Sequence, residues 1–151
     1  MNWLEEISKS NKKFKEEVDI NVIPTERQPC PYAVITCMDP RVNLEAVGIQ
    51  PFKPNGELMS QVRIIRTIGG ISEVRSLIIG IHLAGFKEIA VIMHTDCGCS
   101  LAHYKIDKII ENLEASLYTI KLQKTKKIIG EPFRENLLEW LHAFQDPREA
   151  I

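Results

Sequence analysis

No stretch of this chain approaches the ~20 consecutive apolar residues needed to cross a bilayer. Its first residues, MNWLEEISKSNKKFKEE, hold no apolar secretory segment. An excess of one charge sign is also missing. Nineteen Lys and Arg face twenty Asp and Glu, for a net charge of -1. A general nucleic-acid binder needs surplus basic residues on one face, so this balance argues against that class. Cysteine is scarce: four stand in 151 residues, at positions 30, 37, 97 and 99. That is too few for a disulfide scaffold, and nothing points to an oxidising compartment. Internal repeats and low-complexity tracts are absent. What is present is a globular composition, 26% charged and 44% hydrophobic. A chain of this length buries roughly 70% of its unfolded surface. We expect a single domain over 1–151, in the cytoplasm.

The apolar residues fall into two periodicities. Leu4, Ile7, Phe14 and Val18 share one face of an N-terminal helix over 2–18. Pro24, Pro29 and Pro31 mark an extended connector. Tyr32–Thr36, Val62–Arg66 and Ile89–Met93 read as three buried strands, and residues 49–60 as loop. One or two helical turns are expected over 42–47, before Gly48. Ser72 is a candidate cap for a helix running to about Ala84, with Gly85 just past its end. A long helix is expected from about Leu101, with Ile106, Ile109, Ile110, Leu113 and Leu117 on one face. A last helix, near 132–144, opens at Pro132 and carries Phe133, Leu137, Leu138, Leu141 and Phe144. Strands separated by helices imply βαβ units and a mainly parallel sheet. Ligands of such sheets sit beyond the C-terminal strand ends, where Cys37, Arg66 and His94 all fall.

Two segments carry the chemistry: Cys37-Met38-Asp39-Pro40-Arg41 and His94-Thr95-Asp96-Cys97-Gly98. Two thiolates and an imidazole suit Zn²⁺, and three protein ligands leave a fourth position open. Two thiolates also cancel the metal's formal charge, so a productive site needs a hydrogen-bond partner for hydroxide. Asp39 can be that partner. If the segment is extended, positions 37, 39 and 41 point the same way. Arg41 then clamps Asp39 and keeps it ionised.

CMDPR, RTIGG and HTDCG, in that order and on strand ends, resemble the β-class carbonic anhydrases. The motifs cover roughly residues 30–105, and C-x-D-x-R followed about sixty residues on by H-x-x-C is specific where either half is weak. The resemblance implies zinc ligands at Cys37, His94 and Cys97 and an Asp39–Arg41 dyad beside the metal. Asp39 can alternatively become a fourth ligand that closes the site at lower pH. The implied reaction is reversible hydration of CO2 to bicarbonate and a proton, by hydroxide held on the zinc. Gly69 and Gly70 would line the substrate or anion pocket. The resemblance further implies an α/β fold, a central mainly parallel sheet flanked by helices. It also implies a homodimer or higher homo-oligomer whose N-terminal helix packs on a partner. Pro40 stands where the family has Ser or Ala, and Thr67-Ile68 where it often has Asn-Ala. The sequence stops before the family's usual C-terminal edge strand, so that strand is expected to be lacking.

Other readings stay open. A carbonyl sulfide or carbon disulfide hydrolase would use the same scaffold. A non-catalytic zinc or anion-binding module is possible as well. The three ligand candidates could be buried inert residues, or could hold a structural zinc with Cys30 or Cys99 as fourth ligand. Asp39 and Arg41 could be an ordinary turn-stabilising pair. Asp96 could orient a ligand or cap the following helix. Cys30 is expected at the far end of the sheet and Cys99 as a buried thiol. His82 reads as packed or at an interface, and His103 and His142 as surface residues, with His103 a possible proton shuttle. Lys121, Lys124, Lys126 and Lys127 read as a solvated helix end.

Overall fold

Three parallel strands organise the chain in the order β2–β1–β3, with β1 Tyr32–Cys37, β2 Val62–Thr67 and β3 Glu88–Ile92. The computed structural model describes residues 2–19, 21, 30–50, 62–71 and 73–150. Ser72 lies outside the described residues, as do Pro24, Pro29 and positions 51–60. Register pairs Thr36 with Arg66 and Ile92, and Cys37 with Thr67, so the C-terminal strand ends are level. Six helices flank the sheet: α1 Trp3–Glu17, α2 Val74–Ile79, α3 Gly98–Tyr104, α4 Ile106–Ser116, α5 Thr119–Ile129 and α6 Phe133–Trp140. The α/β architecture expected from the sequence is the one observed.

Local signals explain most boundaries. A capping box joins Asn2 and Glu5 at the start of α1. A 3₁₀ turn over Leu44–Val47 ends at Gly48 in the left-handed region. In place of a Ser72 cap, the Glu73 carboxylate accepts the Ser76 N–H at the start of α2. That helix runs on as a π turn, Gly80–Ala84, and Gly85 ends it at φ 81°.

Several expectations are corrected. Only β1 is buried along its length, from Ala33 to Cys37. The third strand is an edge, and Ile89 and Val91 stay 39% and 37% exposed. An apolar strand reads the same whether its own chain or something else covers it. The long helix expected from Leu101 starts earlier and breaks at Lys105 (φ −116°, ψ 27°). The reason is packing in two directions: α3 rests on the Ile68–Gly70 turn, while α4 rests on α6. The last helix stops at Trp140 and His142 turns left-handed (φ 48°), so Phe144 leaves the helix face. It packs instead with Cys37, Cys97 and Cys99. A second cluster of Ile106, Phe133 and Leu137 ties α4 to α6. Lys126 is not merely solvated. It pairs with Glu114 at 2.9 Å and lies 5.4 Å from the centre of the Phe133 ring.

Candidate metal centre

Cys37 ends the buried central strand, and Cys97 sits at the cap position of α3, so both thiols are held by regular structure. His94 follows β3. Ligand atoms of Cys37, His94 and Cys97 all lie within 4.8 Å of one another, and no other such group occurs among the described residues. The two sulfurs are 3.7 Å apart. A disulfide needs ~2.05 Å. Two thiolates on a tetrahedral zinc with bonds of ~2.3 Å stand about 3.8 Å apart. The spacing therefore fits a metal and not a bridge.

The imidazole is prepared in the same sense. His94 Nδ1 lies 2.8 Å from the Thr95 carbonyl, which can only accept, so Nδ1 carries the proton. Nε2 is then a lone-pair acceptor, and it is buried with no hydrogen-bond partner among the described residues. An orphaned buried nitrogen beside two thiols is what a missing cation leaves behind. Burial pushes the Cys37 thiol up. Hydrogen bonds from the Asp39 N–H, His94, Cys97 and the Gly69 N–H outweigh burial and hold that thiol below its ordinary value. Burial, and next the neighbouring Cys37 sulfur, push Cys97 up. One thiolate thus forms readily, and the second needs a cation to stabilise it.

Asp39 and Arg41 meet, though not along an extended segment. The chain turns at 39–42, with the Val42 N–H donating to the Asp39 carbonyl at 3.1 Å. Arg41 folds back on Asp39, its Nε 3.0 Å from Oδ1 and its Nη2 2.8 Å from Oδ2. The Arg41 N–H also reaches Oδ1, at 2.9 Å. The guanidinium holds the Asp39 carboxyl far below the usual carboxylate range. Both carboxylate oxygens are engaged by Arg41, and Asp39 lies outside the three-residue ligand group.

The sequence gave no hint that Arg41 also spans to the other motif. Its Nη1 donates to Asp96 Oδ2 at 3.0 Å and its Nη2 to the Asp96 carbonyl at 2.9 Å. Asp96 holds a left-handed backbone (φ 54°), which Asp tolerates better than most residues. Asp96 therefore joins the two motifs. Arg66 donates to the carbonyls of Cys37 and Val42, each at 3.1 Å.

Gly69 and Gly70 are buried at positive φ, 66° and 70°. A Cβ at Gly69 would meet Cys99 Cβ at 2.8 Å, and one at Gly70 would meet Met93 Sδ at 2.7 Å. They let the turn after β2 press against the thiols. Cys99 is buried and donates to the carbonyls of Leu141 and His142, while Cys30 lies at the opposite end of the sheet. Neither belongs to the ligand group. His82 and His142 are exposed. His103 is not a plain surface residue: its Nε2 lies 3.0 Å from Gln145 Nε2, and its Nδ1 is buried. A cleft of about 520 Å³ opens beside His94 and Cys97, walled by Ser100 and residues 145–148.

No protein-family model matches the chain. Carbon disulfide hydrolase of Saccharolobus solfataricus is 32% identical over 138 residues, covering 82% of this chain and 58% of that protein. Carbon disulfide hydrolase of an Acidianus species is 34% identical over 123 residues, covering 75% and 54%. The chain thus spans little more than half the length of these curated relatives. Among solved structures, a β-carbonic anhydrase of Trichomonas vaginalis superposes with a TM-score of 0.66 at 26% identity, covering all of this chain and 79% of that one.

Proposed function

As the chain belongs to the β-carbonic anhydrase fold family, we propose that it is a zinc enzyme adding water to a linear triatomic substrate, with CO2 first. The product would be bicarbonate and a proton. The observation that carries this reading is the buried, partnerless His94 Nε2 facing two thiols 3.7 Å apart, two residues from an Asp locked by an Arg. Cys37, His94 and Cys97 would hold the metal. Bound there, zinc supplies a Lewis acid that makes water nucleophilic near neutral pH.

The remaining roles belong to the chain. Arg41 keeps Asp39 ionised, so that carboxylate accepts a hydrogen bond from the attacking water and orients it. Thr95 fixes the His94 tautomer through its carbonyl. Gly69 presents an N–H to Cys37 and steadies its thiolate. Gly69 and Gly70 would also form the floor of the substrate or anion pocket.

Carbon disulfide or carbonyl sulfide is the second reading, favoured by identities of 32% and 34% to two carbon disulfide hydrolases. The same residues would serve, and sulfide would leave in place of bicarbonate. We further propose a single-domain cytoplasmic enzyme acting as a homodimer or larger homo-oligomer. Supporting this, α1 exposes Trp3, Leu4 and Phe14, and the α2–β3 side exposes Ile78, Ile79 and Ile89. No helix among the described residues is long and apolar enough to cross a membrane.

Stopped-flow CO2 hydration near pH 8.5, beside sulfide release from carbonyl sulfide and carbon disulfide, tests the proposal. Zinc-dependent CO2 turnover, lost in Asp39→Ala at full zinc content, is expected. Turnover of the sulfur substrates alone selects the second reading. A fully metallated protein inert toward all three refutes both.

A further inference from the structure

We propose that Arg66 is a positioning residue for the Asp39–Arg41 pair. This rests on the proposed hydration function. Arg66 sits one residue before the end of β2, opposite Thr36 in the register. Its guanidinium reaches across the strand end and takes both ends of the turn that carries the pair. Nη1 donates to the Cys37 carbonyl and Nη2 to the Val42 carbonyl, each at 3.1 Å. Between these two anchors lie Asp39 and Arg41. The Met38 N–H adds a third tie to β2, donating to the Thr67 carbonyl at 2.8 Å. Inside the turn the other bonds are local: the Val42 N–H to the Asp39 carbonyl, the Arg41 N–H to Asp39 Oδ1, and the Asp39 N–H to Cys37 Sγ. These local bonds set the shape of the turn. They do not set where the turn stands relative to the sheet. Arg66 does that for its far end.

The residue type matters. Two carbonyls five residues apart are bridged by one planar fork with donors in fixed geometry, which a lysine's single point of charge cannot reproduce. The consequence is for catalysis more than for metal binding. Cys37 stays anchored by the β1 ladder and His94 and Cys97 by their own segment, so the ligand group survives without Arg66. Asp39 loses the fixed distance to it. Misplacing a reacting group by about 1 Å costs up to ~100-fold in rate.

The test compares Arg66→Met, Arg66→Lys and the same-strand control Arg63→Met as zinc-loaded proteins. For Arg66→Met, kcat per bound zinc should fall roughly 10- to 100-fold with KM and zinc content held. Arg66→Lys should recover only part of the loss, and added guanidinium should restore activity to Arg66→Met but not to Arg63→Met. Amide hydrogen exchange over Met38–Val42 should speed up in Arg66→Met alone. If Arg66→Met folds poorly, Arg66→Gln, which keeps one donating amide, replaces it with the same expected ordering. Unchanged kcat per zinc with unchanged exchange overturns the assignment, as does complete rescue by lysine. Should the unaltered protein turn over no substrate, the functional reading fails, and exchange over Met38–Val42 still decides the anchoring by Arg66.

Discussion

Replacing Gly69 by alanine should damage this protein through a specific collision, and its size can be separated from the backbone cost. Gly69 sits at φ 66°, and a Cβ there would lie 2.8 Å from Cys99 Cβ and 2.9 Å from Phe144 Cε1. Gly85 supplies the matched control, because it has φ 81° and nothing within 4 Å of an added Cβ. Both substitutions force an L residue into the left-handed region, at about 1–2 kcal/mol. Only Gly69→Ala adds overpacking in a closed cluster, at about 1–3 kcal/mol more. Gly98 gives a third point: it lies in the first turn of α3 with open space and no positive φ. Gly98→Ala should therefore be neutral or stabilising by about 0.4–1 kcal/mol. Urea denaturation of the zinc-loaded proteins should rank them Gly98→Ala, Gly85→Ala, Gly69→Ala, from most to least stable. The Gly69 collision also pushes on Cys99, two residues from Cys97, so chelator competition should show weakened zinc retention for Gly69→Ala alone. Equal losses at Gly69 and Gly85, with equal zinc retention, would refute the claim that this glycine exists to admit the thiol cluster.

At Asp96 (φ 54°) asparagine keeps a residue suited to the left-handed backbone while alanine does not. Asp96→Ala should unfold at lower urea than Asp96→Asn, by about 1 kcal/mol, and identical midpoints would remove the backbone argument. Acid stability should depend on Glu73, which its bonds to Ser76, then Arg75, hold down at about 2. A depressed folded-state value means the unfolded chain binds more protons in that window. The contribution is full above the ordinary glutamate range and fades as pH falls toward 2. The stability gap between wild type and Glu73→Gln should thus be wider at pH 6 than at pH 2.5, and a constant gap would contradict this. Leu137, 3% exposed between α4 and α6, should lose about 2–5 kcal/mol on truncation to alanine. Ile120, 69% exposed, should stay within ~0.5 kcal/mol under the same change, measured by the same melts.

What was legible in the sequence divides along a physical line. Cys37, His94 and Cys97 could be read because their residue types are scarce and chemically specific, and because apolar runs placed two of them at strand ends. The helix positions were legible where apolar spacing met a capping residue, as at Gly48 and Gly85. The residues that hold the ligands in place were not. Phe144 looked like one more apolar position on the last helix, since periodicity does not register that His142 turns left-handed and sends the chain back over the thiols. Asp96 looked like a cap or a bystander, since its tie to Arg41 spans 55 residues. Arg66 was flagged only as lying at a strand end, and its hold on two backbone carbonyls has no sequence signature at all. Ligands announce themselves by chemistry, whereas supports are arginines, glycines and phenylalanines doing geometric work that any sequence could contain. The exposed β3 follows the same logic: its apolar residues signal that something covers them, and α2's exposed Ile78 and Ile79 nearby in the chain say the covering surface is apolar as well. A second copy of this chain carries such a surface, which ties the proposed dimer to the strand that delivers His94.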